Sequence, residues 1–91
     1  MESEIGTVIH YDEGLHVAVL RLTDRLNVGA TLHIFGPATD FTQTVAFMEV
    51  NHLRVVVVEP SEEVALKVVE PVREQDRLYR VTRDVMDLQV L

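Results

Sequence analysis

Apolar and polar positions alternate along most of the chain. In "LHVAVLRL" (residues 15–22) Ala18, Leu20 and Leu22 share one face and Val17, Val19 and Arg21 the other, the period of two that marks a half-buried strand. Val17 and Val19 are apolar, so the outward face is expected to be partly covered. "EIGTVIHY" (4–11) reads as the preceding strand, with "YDEGL" as the turn and Gly14 free to take positive φ. "TLHIF" (31–35) follows a Val28-Gly29 turn and puts Leu32 and Ile34 on one face. "GPATDF" breaks it, because Pro37 donates no ladder hydrogen bond. "TQTVAFMEV" (42–50) reads as one strand. Val45 and Met48 are an odd distance apart yet both expected inward, which predicts a β-bulge near Ala46 and Phe47. "NH" (51–52) is a turn, "LRVVVV" (53–58) a short apolar segment, "VALKVV" (64–69) a strand and "EPVREQD" a loop. "RLYRVT" and "DVMDLQV" read as closing strands.

Seven or eight short strands at this spacing predict an all-β protein, either a barrel or a sandwich. Helix competes only at 61–69 and 72–79, both short and badly flanked. With 91 residues and no linker, residues 1–91 are expected to form one domain.

Composition narrows the chemistry. Apolar residues are 47% and charged residues 25% of the chain, an ordinary globular balance. The net charge of −7 repels phosphate backbones, so a broad nucleic-acid footprint is disfavoured. Without cysteine there is neither a disulfide framework nor thiolate chemistry. No apolar run approaches the ~20 residues of a membrane span. "MESEIGTV" is no secretory signal, so a cytoplasmic protein without membrane contact is expected.

Four ordered motifs carry a family likeness: "IGTV" (5–8), "VGATLHIFG" (28–36), "VAFMEVN" (45–51) and "EEVALKV" (62–68). Over residues 4–82 the chain resembles the β-barrel second domain of translation GTPases such as elongation factor Tu. It is also similar to the C-terminal domain of collagenase-like peptidases. The resemblance implies a closed or nearly closed antiparallel β-barrel. It also implies a binding edge at Ile34, Gly36 and the strand around Met48. Aminoacyl-tRNA carriers of this type have an acidic residue just before the methionine; here it is Phe47, which either stacks on a base or packs against a neighbouring element or partner. No G-x-x-x-x-G-K-[ST] loop is present, so GTP hydrolysis is excluded for this chain.

Other candidates come from the residues themselves. If the turn is 12–14, Tyr11 faces Leu15 and His10 faces His16, and two opposed imidazoles near Asp12 and Glu13 could hold a divalent metal. Arg73, Arg77, Tyr79 and Arg80, with Arg83, could contact RNA, although Glu74, Asp76 and Asp84 nearly cancel their charge. Thr39, Asp40 and Thr42 look loop-forming. No nucleophile–base spacing and no metalloprotease motif appears, and neither a cofactor nor a resident metal is expected. The expectation is a non-catalytic binding module for a protein or ribonucleoprotein partner. RNA binding through the C-terminal Arg/Tyr segment, a small metal-dependent enzyme at His10 and His16, and a homodimer using the outer valines are the alternatives.

Overall fold

A computed structural model describes residues 1–82; the expected strand at 84–90, Arg83 and Asp84 lie outside the described residues. The described chain is all-β. It comprises β1 (Glu2–Asp12), β2 (Val17–Leu22), β3 (Leu26–Asn27), β4 (Thr31–Gly36), β5 (Thr39–Thr44), β6 (Met48–Val50), β7 (Leu53–Val55), β8 (Val57–Val58), β9 (Glu63–Lys67) and β10 (Arg77–Val81). Eight strands form one antiparallel sheet in the order β5-β4-β10-β1-β2-β9-β6-β7, and β3 pairs with β8.

The barrel is not closed: among the described residues the ladder stops at β5 on one side and β7 on the other. The sheet is nevertheless strongly curled. β5 and β6 stand six strand spacings apart in the order, about 28 Å if the sheet were flat. Only residues 45–47 join them, a link of at most about 14 Å from Thr44 to Met48. The sheet must therefore bend until its two sides approach. Val45 leaves the ladder there: its N–H donates to the Ala30 carbonyl and its carbonyl accepts from the Gly29 N–H, both at 2.8 Å. The seam is then bridged by a side chain. Gln43 donates its amide to the Lys67 carbonyl and accepts from the Val69 N–H, each at 3.0 Å, as a peptide group in a strand would.

Inside the curl lie Ile5, Val8, Leu20, Leu22, Leu32, Ile34, Met48, Leu66 and Leu78, all essentially without solvent contact. Ala18, Leu20 and Leu22 point inward as alternation predicts, with Val17 and Val19 half-buried. Val45 and Met48 are both inward, but by the chain crossing rather than the expected bulge at 46–47, so the predicted strand 42–50 divides into β5 and β6. The register shifts occur instead in β1, between Glu4 and Gly6 and between Val8 and His10. They let Ile5 and Val8, an odd distance apart, both enter the core. Gly6 is required there, since a methyl group would overlap the Arg21 carbonyl oxygen.

The turns follow local chemistry. Asn51 and His52 both have positive φ, 52° and 67°, the geometry of a two-residue hairpin turn whose twist matches its strands. The break expected at "GPATDF" is a tighter device. Gly36 pairs with Thr39 across Pro37 and Ala38, so proline occupies the turn and β5 starts at once.

Candidate functional site

The outward face of β5, β4 and β10 gathers the chemistry. Its ladder rows run Asp40–Phe35–Arg77 and Thr42–His33–Tyr79. With Leu32 and Ile34 inward, His33 and Phe35 of β4 must face out. Three rings cluster as a result: His33 lies 5.8 Å from Phe35, edge to face, and 6.0 Å from Tyr79. Phe35 remains 46% exposed. Beside it runs a groove of about 690 Å³, lined by the β4–β5 hairpin from Phe35 to Asp40 and by Gln75, Arg77 and Tyr79.

The hairpin that walls the groove is anchored from beneath. Asp76, 2% exposed, accepts at Oδ2 from the Thr39 hydroxyl at 2.5 Å and from the Arg73 N–H at 2.8 Å. Gly36 leaves the space that its Oδ1 fills, since a Cβ at that position would overlap the oxygen. Gln75, with φ 75°, donates its N–H to the Val8 carbonyl at 2.7 Å, and the Asp76 carbonyl accepts from the Val8 N–H at 2.9 Å. Hairpin, loop and β1 are thus fixed together, and the groove walls stand on rigid elements.

Its electrostatics centre on His33. Nδ1 lies 2.8 Å from Glu2 Oε1 and Nε2 lies 2.6 Å from Asp40 Oδ1. The Glu2 hydrogen bond first, and the Asp40 one next, raise the imidazole above its ordinary 6.5, because both stabilise the protonated ring. Arg77 Nη1 lies 3.2 Å from Glu4 Oε1.

The structure disperses several residues that the sequence groups. Ile34 and Met48 are wholly buried in the core, so neither side chain is open to a partner. Gly36 lies in the groove. Phe47 is elsewhere: it lines a shallow hollow with Leu15, Val17 and Ala65, and the Arg54 guanidinium sits 4.8 Å above its ring. Of the basic segment, Arg77 and Tyr79 line the groove. Arg80 points the other way along β10 and donates to the Arg25 carbonyl and Asp24. The Arg25 N–H, and then Arg80, hold the Asp24 carboxyl below its ordinary range.

The expected opposition of His10 and His16 is wrong in register. Asp12 pairs with Val17, Tyr11 with Ala18 and His10 with Val19, while His16 sits in the turn with φ 57°. Four residues intervene in the turn, so the imidazoles do not face each other. Among the described residues no three His, Cys, Asp or Glu side chains gather as a metal site requires. No helix among them is long and apolar enough to cross a membrane.

Phe35, His33, Gln43 and the Asp76–Thr39 pair lie outside the candidates that the sequence singles out. Phe35 and His33 carry a signal, being the outward residues of a strand whose inward residues are plain. Asp76 and Thr39 are 37 positions apart and carry none.

No family model matches the chain. It is similar to an uncharacterised protease of Methanocaldococcus jannaschii, 35% identical over 77 residues, which is 84% of this chain and 19% of that protein. The chain therefore spans about a fifth of the length of the curated relative it matches. Its fold is that of the C-terminal domain of a U32 peptidase from Geobacillus thermoleovorans, with TM-score 0.81 and 21% identity, covering 86% of this chain and 91% of that one. A selenomethionine variant of that domain superposes equally well, with TM-score 0.80 and 22% identity over 87% of this chain and 99% of the other. These matches support the peptidase-domain part of the resemblance. The likeness to translation GTPases stays an expectation from the four motifs.

Proposed function

We propose that this chain is a non-catalytic binding module, of the kind that forms the C-terminal domain of a U32 peptidase. We propose further that it holds a protein or ribonucleoprotein partner in the groove between the β4–β5 hairpin and β10. The observation that supports this reading is Phe35. A large apolar ring stands half exposed beside Tyr79, on a hairpin that buried Asp76 anchors through Thr39. Covering the exposed half of such a ring removes about 90 Å² of apolar surface from water, about 2 kcal/mol toward binding. RNA contact through the Arg/Tyr segment draws less support, because Arg80 is committed to Asp24 and the Arg25 carbonyl and, among the described residues of the segment, Arg77 and Tyr79 are the arginine and tyrosine that reach the groove.

The test is site-specific photo-crosslinking in native extract. A benzophenone side chain is placed at position 35 and, as control, at exposed Leu15 on the β1–β2 turn. The reading expects a discrete adduct at position 35 that position 15 does not give. Equal labelling at both positions, or none at 35, refutes it.

A further inference from the structure

Resting on that reading of the groove, we propose that its occupant is a basic stretch of polypeptide. An arginine or lysine side chain lies across the rings of Phe35 and Tyr79 and turns its cation to Asp40. Three observations carry this. First, the Phe35 and Tyr79 rings line the groove on fixed strands, Phe35 still half exposed, and an aromatic ring attracts a cation to its π face. Second, the face is acidic. Glu2, Glu4 and Asp40 surround it with side chains 43%, 43% and 69% exposed. The cations facing them are His33, enclosed between Glu2 and Asp40, and Arg77, held by Glu4. Against a chain of net charge −7, such a face draws in a cationic partner and repels phosphate. Third, Asp40 lies on β5, which among the described residues is an end strand of the sheet with β4 as its ladder partner. Short of the Gln43 bridge, an extended backbone can add along that edge, which favours a polypeptide over a free polyamine.

The experiment is an amide NMR titration of the isotope-labelled chain at low ionic strength with three probes. These are a hexapeptide alternating arginine and valine, the same peptide with citrulline for arginine, and hexauridylate. The arginine peptide is expected to shift the amides of Phe35, Asp40 and Tyr79 saturably, and citrulline to abolish the effect. Phe35→Ala and Asp40→Asn, each checked for native amide dispersion, are expected to weaken binding by about tenfold. Shifts spread evenly over the acidic surface, or unaltered affinity in Phe35→Ala, overturn the proposal. Hexauridylate shifting these amides while the arginine peptide does not also overturns it, yet leaves the groove as the binding site. If neither probe shifts them the proposal falls, and crosslinking at position 35 then decides whether the groove reading falls with it.

Discussion

Replacing Gly36 with alanine drives a methyl group into the Asp76 carboxyl, overlapping Oδ1 and lying 2.8 Å from Cγ. The backbone tolerates alanine there, since Gly36 is not among the positive-φ residues; the cost is steric. The carboxyl cannot swing aside without leaving the Thr39 hydroxyl and the Arg73 N–H. Overpacking of this kind costs about 2 kcal/mol. Asp76→Ala costs about 3 kcal/mol by leaving two donors unpaired under the hairpin. Independent effects would sum to about 5 kcal/mol. In the double variant, however, the new methyl occupies the space the carboxyl vacated, so the loss should remain near 3 kcal/mol, a coupling of about 2 kcal/mol. Urea unfolding followed by circular dichroism, with m held constant across the four proteins, measures the cycle. Additivity within about 0.5 kcal/mol would refute the claim that Gly36 exists to seat Asp76.

Three further outcomes are expected. Gln43→Leu removes the bridge across the seam and should cost about 1 kcal/mol; hydrogen exchange at the Val69 amide should accelerate, and unchanged protection would count against the bridge. Because Glu2 and Asp40 raise the folded-state pKa of His33, the folded protein binds the proton more tightly than the unfolded chain. That stability is fully present below about pH 6.5 and declines as pH rises through the raised value. Melting temperature should fall from pH 6 to pH 9, and His33→Gln should flatten the decline. Gly6→Ala meets a backbone carbonyl that no rotamer change can move, so it should cost more than Gly36→Ala, about 3 kcal/mol or more, read from the same urea curves.

Where the sequence is informative, the reason is local. Alternation in β2 reports directly which residues face the core, and the adjacent Asn51 and His52 suit a turn that needs two positive φ values. Parity breaks are visible but ambiguous. Val45 and Met48 break the period because the chain crosses the seam between β5 and β6. Ile5 and Val8 break it by bulging, and the glycine between them marks the true site. His10 and His16 fail as a pair because the turn closes at Val17 and moves the register. Closure is not legible in the sequence, because an open ladder and a closed one share the same strand pattern. The difference lies at Val45 and Gln43, whose hydrogen bonds reach across the seam. Asp76 is opaque for the same reason. It looks like one charge among several in "EPVREQD", and its burial depends on a hydroxyl and a glycine supplied by a distant hairpin.

The position of β10 has a consequence for how the molecule is made. It lies between β4 and β1, and no ladder joins those two strands without it. During synthesis the early hairpins leave the ribosome with their inner faces unsatisfied until the last of these ten strands emerges. At about 5–20 residues per second the nascent chain holds β1 open for several seconds. Chaperone dependence should therefore track elongation speed through residues 70–81, and slow codons there would lengthen the interval in which exposed edges can aggregate.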